Sequence, residues 1–289
     1  MNAFRVLEPG TSDFEAYAMI RKCQSSLHRW GDANGVVFDA GKESAHIVSR
    51  RGADGPPLTV LGVQFDCKLL MHQAVRQCAT EVGWRLVALL RTQRFQSLSE
   101  LVVLYKSHIL PFLEYRTAAI AHAATSVLNE LDVTMDRFLH SVSLTDIEAL
   151  MHFRLAPLSV RRDIAILGIL HRSAIGEGPP ALQQFFTMDV RVPPPRAPRR
   201  HCRHMMDPCG LRWPDYAFHS ALGAVRVYNI LPDYIVSARS VKAFQSRLQG
   251  LVCTRVGSCA DWRATLSWRV PIWSHPLRAC RDWAGAAAS

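Results

Sequence analysis

The chain has 289 residues, 49% of them hydrophobic, with 20% charged. That is enough to bury a real core, in one large domain or two small ones, and it excludes a disordered or fibrous chain. The formal net charge of +10 favours polyanionic partners, nucleic acid or an anionic membrane surface, and does not bear on fold.

The first residues, Met1 to Glu8, have neither a basic n-region nor an apolar h-region. The best apolar stretch, from Leu101 to Leu128, is interrupted by Lys106, His108, Glu114 and Arg116. An intracellular protein, cytoplasmic or nuclear, is expected, with no membrane partner. The eight cysteines include no C-x-x-C pair and read as reduced thiols.

Phe14, Ala18, Cys23, Leu27 and Trp30 recur at helical spacing. Residues 31–35 carry turn chemistry, and Val36-Val37-Phe38 and His46-Ile47-Val48 then read as short strands. After a second turn comes a β-rich run from Leu58 to Phe65. One helix followed by a small antiparallel sheet is the expectation for this region.

From Met71 onward helices take over. Met71, Val75, Cys78, Val82, Leu86 and Leu89 mark one amphipathic face. Ser97 with Glu100 and Thr145 with Glu148 fit capping boxes. A helix is expected from about Ala118 to Leu139, and another through Ile164, Leu167, Leu170 and Ile175 that stops at Gly176. Residues 191–214 are rich in Pro and Arg and read as a loop. Helices follow through Ala221, Val225 and Tyr228, ending at Leu231-Pro232, and from Ser240 to Leu251.

From Arg239 to the end there are eight Lys or Arg and two Asp, together with Trp262, Trp268, Trp273 and Trp283. Such a mixture can stack on single-stranded bases, but without periodicity the expected reading is a weakly structured basic tail. The fold class expected is mainly α. A short α+β region with an antiparallel hairpin covers 1–66, and a helical bundle covers 67–182. A linker over 183–215, C-terminal helices over 216–252 and the tail over 253–289 complete it.

A search for chemistry finds no nucleophile elbow, P-loop, dinucleotide-binding glycine pattern or HExxH, and no adjacent Asp-Asp pair. Isolated carboxylates such as Asp39, Asp66 and Asp163 read as surface or capping residues. His201, Cys202, His204 and Cys209 offer metal-ligand types, but their spacing matches no standard zinc module, so a basic loop and no metal site are expected. Arg76, Arg85, Arg91, Arg94 and Lys106 lie on the helices after Met71, where basic residues track a phosphate backbone or simply meet solvent.

The stretch from Trp30 to Glu43 (WGDANGVVFDAGKE) resembles the segment that follows the catalytic aspartates in non-LTR (LINE-type) retrotransposon reverse transcriptases. Leu61 to Asp66 (LGVQFD) is similar to their primer-grip hairpin. Leu104 to Ser107 and Pro111 to Arg116 resemble their helical thumb. Leu158 to Asp163, Gly178 to Leu182 and Tyr228 to Pro232 match patterns further downstream. Together these cover Met1 to about Leu251, and their order and spacing are more specific than any one of them.

The resemblance implies a right-hand polymerase whose catalytic Asp-Asp lies before the first residue here. Met1 to Arg5 looks like the residues that trail that motif. A truncated palm and thumb of this kind is expected to bind an RNA/DNA or DNA primer–template duplex without polymerising. Its Mg²⁺ would belong only to a full-length relative, so no cofactor is expected in this chain. By resemblance, Lys42 is the lysine near the incoming nucleotide's phosphates, and Gly62 allows close approach of a primer backbone. Tyr105, Tyr115 and Trp84 are expected in the thumb core, and Asn229 to Pro232 as a helix stop. The alternative is a helical protein-interaction or orphan protein that makes no use of nucleic acid.

Overall fold

Alternation of apolar positions at the helical period dominates the chain, and helices dominate the structure. The computed structural model describes residues 7–8, 10–39, 41, 43–49, 55–188, 201–207 and 218–278. They divide into two compact units, residues 1–73 and 74–289.

The first unit opens with α1 (Asp13–Ala33). Its start is fixed by a capping box: Ser12 accepts from the Glu15 N–H, and the Glu15 carboxylate accepts from the Ser12 N–H at 2.9 Å. Only Ala16 and Gly31 of this helix are buried. The helix runs into the predicted turn, with Asn34 as its C-cap. The two segments expected as strands, 36–38 and 46–48, join no ladder among the described residues. The segment around 43–49 is instead held by local polar contacts. His28 Nε2 lies 2.7 Å from the Glu43 carboxylate, and the Ser49 N–H donates to the Cys67 carbonyl.

The β-rich run forms an antiparallel pair, β1 (Leu58–Val60) and β2 (Val63–Phe65), with Val60 opposite Val63. The run is therefore split by a two-residue turn. Leu61 and Gly62 both take left-handed backbone, φ +49° and +77°. That is the type I′ pattern, whose twist matches the flanking strands. Gly62 adopts it freely; Leu61 does so at a steric cost of about 1 kcal/mol.

α2 (His72–Arg91), which belongs to the second unit from Ala74, buries Val75, Cys78, Val82 and Leu86 on one face. A 3₁₀ turn (Gln93–Phe95) leads to α3 (Leu98–His108), which starts at the Ser97/Glu100 capping box. Next come α4 (Leu110–Tyr115), α5 (Thr117–Ile120) and α6 (Thr125–Ser141). The single helix expected from Ala118 to Leu139 is thus broken between Ile120 and Thr125. α7 (Asp146–Phe153) begins at the Thr145/Glu148 capping box.

α8 (Leu158–Ala174) is the central element: ten of its seventeen residues are buried. It stops at Gly176, where φ is +79° and the Gly176 N–H donates to the Ser173 carbonyl. α9 (Pro180–Gln183) follows. α10 (Ala221–Tyr228), α11 (Asp233–Val236) and α12 (Val241–Arg255) come last, and α10 and α12 pack chiefly on α8. The C-terminal helices therefore share one core with the bundle instead of forming a separate region.

Two expectations need correction. The tail is not weakly structured as far as residue 278: Trp262, Leu266, Trp268 and Leu277 are buried in the same core. It folds without periodicity because large aromatic side chains, set on 3₁₀ turns (Trp262–Ala264 and Ile272–Ser274), supply the burial. The linker expected over 183–215 is equally well held where it is described. Met188 and Met205 form an antiparallel bridge, and Phe186, His201 and Met205 are buried. Residues 189–200 and 208–217 of that stretch, with Cys209, lie outside the described residues.

Candidate functional site

In the first unit, Gly62 sits at the hairpin tip, where a Cβ would meet nothing within 4 Å. The backbone there is open to a partner on that side. Asp66 closes the hairpin's exit: its carboxylate accepts from the N–H groups of Lys68, Leu70 and Met71 at 3.1, 2.9 and 2.6 Å. It is a capping residue, as expected from sequence. Lys42 lies outside the described residues.

The basic set of the second unit is not gathered on one face. Arg76 and Arg85 are nine positions apart, hence about half a turn apart around α2. Arg76 pairs with Glu130 at 3.5 Å. The Arg85 guanidinium lies 3.7 Å over the Phe112 ring and donates to the Glu81 carbonyl. Lys106 donates to the Phe153 carbonyl. Burial, with Arg161 and Arg154 nearby, lowers its pKa.

Arg91 and Arg94 remain exposed at the end of α2 and in the turn after it, Arg94 resting 4.6 Å from the Phe95 ring centre. Trp84 (74% exposed), Phe95 and Tyr115 stand in solvent, whereas Tyr105 is fully buried and stacked on Phe138. The expectation that Trp84 and Tyr115 belong to the core is therefore wrong. Val87 and Ala88 follow Trp84, and Pro111, Phe112, Ala118 and Ala119 flank Tyr115, at helical spacing, and periodicity does not reveal which flank of a helix has a partner.

A third arrangement draws Ser159, Arg162 and Asp163 from the Leu158–Asp163 motif and its other residues from outside the motifs. A cleft of about 200 Å³ opens between α6, the first turns of α8 and the C-terminal segment. Asn129, Asp132, Ser159, Arg162, Asp163, Arg263 and Arg269 contribute its polar groups. Arg162 makes a bidentate pair with Asp132, at 2.8 and 2.7 Å. Arg263 pairs with Asp146. Arg269 donates to the carbonyls of Ala121 and Ala123 at 2.7 Å each and to Thr125 Oγ1 at 3.2 Å, pinning the tail over the end of α5.

Asp163 is the exception. It is 7% exposed, and no hydrogen bond or ion pair joins its carboxyl to another described residue. Burial outweighs the attraction of Arg162 and Arg269 and pushes its pKa up to about 7. Reading Asp163 as a surface or capping residue is therefore a miss. The sequence signal is its place beside Arg162 on the face that carries Ile166, Leu167 and Leu170.

His201 is buried against α10. His201 Nε2 lies 2.9 Å from the Tyr228 carbonyl, and its Nδ1 accepts from the Arg203 N–H at 3.1 Å. Both ring nitrogens are thus engaged. Burial raises the Cys202 thiol pKa, which favours the protonated form. Among the described residues, no group of three or more His, Cys, Asp and Glu is placed to hold a metal ion.

The Tyr228 to Pro232 motif also does more than stop a helix. Tyr228 Oη lies 3.0 Å from His171 Nδ1, and His171 Nε2 lies 3.1 Å from the Ala238 carbonyl. Burial lowers the His171 pKa to about 4. The neutral ring therefore donates from Nε2 and accepts from Tyr228. The Asn229 amide pairs with both backbone groups of Met205 at 2.8 Å.

No family model, no curated protein and no solved structure matches the chain. No helix among the described residues is long and apolar enough to cross a membrane.

Proposed function

We propose that the chain binds a primer–template-like duplex, an RNA/DNA hybrid or DNA, as the palm edge and thumb of a reverse-transcriptase-like protein, and that it does not polymerise. The observation that carries this reading is the order of elements. A helix is followed by a tight hairpin with an open glycine at its tip, then a basic helix, then a helical bundle. This is the order that the sequence resemblance implies. The net charge of +10 supports a polyanionic partner. Synthesis is not expected because the sequence contains no adjacent Asp-Asp pair to organise two metal ions.

The arginine geometry chooses the test. Reversing Arg76 would break its pair with Glu130, and reversing Arg85 would disturb its packing on Phe112, so Arg91→Glu with Arg94→Glu is the cleaner variant. Anisotropy of a labelled RNA/DNA hybrid is expected to show affinity falling steeply between about 50 and 200 mM salt. The double variant is expected to flatten the salt dependence by roughly one unit of slope for each phosphate that is no longer neutralised. Salt-independent binding, or an unchanged slope in the variant, would sink the proposal. Incorporation of dNTPs by stringently purified protein would sink its second half.

A further inference from the structure

We infer that the cleft between α6, α8 and the C-terminal segment receives the Watson–Crick edge of a single unpaired guanine, with Asp163 accepting from the base and a neighbouring guanidinium donating to it. The starting point is the buried, unpartnered carboxyl of Asp163. Buried polar groups are ordinarily hydrogen-bonded, and leaving one without a partner is costly. The Asp163 oxygens are not among the described atoms that are fully closed off without a partner, so the carboxyl opens on the cleft and can take N–H or O–H donors from a ligand there.

The surroundings restrict what can supply them. Arg162 and Arg269 act electrostatically on Asp163, so a cationic ligand meets repulsion. Asp132 is closed in its pair with Arg162, so the carboxylate that a ligand meets is Asp163, which repels an anion placed against it. What fits is a neutral, planar group with two adjacent N–H donors for the carboxylate and an acceptor beside them. Guanine presents this edge as N1–H, N2–H and O6. Adenine and cytosine each offer one donor next to an acceptor, and uracil offers one donor between two acceptors.

Arg162 retains N–H groups after its two bonds to Asp132, because a guanidinium carries five. The Asn129 amide and the Ser159 hydroxyl line the same cleft and are likewise uncommitted among the described residues. Leu128 and Trp268 supply apolar wall. The volume of about 200 Å³ is below the ~300–1,000 Å³ of pockets for drug-sized ligands. It has room for a base and not for a nucleotide, so sugar and phosphate stay at the mouth. Arg263, 59% exposed and paired with Asp146, also lines the cleft.

This inference is independent of duplex binding, since a paired guanine has its Watson–Crick edge occupied. Calorimetric titration of the full chain at pH 8 would use guanosine, inosine, adenosine and a uridine pentamer with one central guanosine. Guanosine or the pentamer is expected to bind. Inosine, which lacks the 2-amino group, is expected to bind at least tenfold more weakly than guanosine, and adenosine not measurably. A pentamer at least tenfold tighter than guanosine assigns the base to a single strand; equal affinities assign it to the free nucleoside.

Asp163→Asn is expected to weaken binding at least tenfold. Should that variant not fold, the nucleoside series and a comparison of pH 8 with pH 6 still decide. Asp163, facing Arg162, Arg269 and Asp132, must be ionised to accept both N–H groups, so affinity falls at pH 6. No binding of either guanosine or the pentamer, equal binding of adenosine or inosine, or an affinity unchanged by pH would overturn the inference.

Discussion

The two units use helical sequence differently. α1 buries two of its twenty-one residues, while α8 buries ten of seventeen. Both have apolar residues at the helical period. In α1 those residues meet solvent: Phe14 is 84% exposed and Trp30 50%. The helix there rests on its caps and on local polar contacts. In the second unit the apolar face of α8 lies under α10 and α12, and stability comes from packing. Periodicity therefore establishes that a helix exists, and says nothing about how much free energy that helix contributes.

The sharpest way to break this contrast is to truncate one large side chain in each unit. Phe244 is fully buried and stacked on the His171 ring at 4.0 Å. Phe244→Ala is expected to cost about 3–5 kcal/mol, whereas Trp30→Ala should stay within about 0.5 kcal/mol. Urea denaturation of both variants checks this, and similar losses would abolish the distinction.

A smaller effect concerns the tail. Arg269→Ala leaves the Ala121 and Ala123 carbonyls without their charged donor and should cost about 2 kcal/mol. Arg269→Lys should recover only part of that, since an ammonium lacks the fork. If the alanine variant melts like the parent, the tail is not held as described.

The third test is a dependence on pH. Asp163 has a folded-state pKa raised to about 7, so the folded chain holds a proton that the unfolded chain has already released. Its contribution to stability is fully present below the unfolded carboxylate pKa. It declines by up to about 1.4 kcal/mol per pH unit as pH rises towards 7, and levels off above. Asp163→Asn should remove that decline. Denaturation midpoints across the window, compared between the two proteins, decide it.

Much of the fold is legible in the sequence. The Ser97/Glu100 and Thr145/Glu148 boxes can be read there because their geometry depends on neighbours three residues apart. The Ser12/Glu15 box carries the same signal, although the sequence expectations leave it out. A hairpin near Leu61 to Asp66 is expected from the resemblance, but its turn at Leu61-Gly62 is not legible, since the run from Leu58 to Phe65 reads as one β-rich stretch. The tail and the ends of the Pro/Arg-rich stretch are not legible, since 3₁₀ turns and single bridges leave no period. Nor is the cleft: Asn129, Asp163 and Arg269 are distant in sequence and meet only once α6, α8 and the tail are packed.

The Met188–Met205 bridge has a consequence for the chain between its ends. With the Met206 N–H also donating to the Thr187 carbonyl, the stretch leaves and rejoins the bundle at one clasp. The cost of such a closed excursion grows only with the logarithm of its length, about 0.6 kcal/mol for each doubling. Insertions or deletions between Met188 and His201 are therefore expected to cost little, provided that the clasp and the His201 and Arg203 contacts to the bundle are kept.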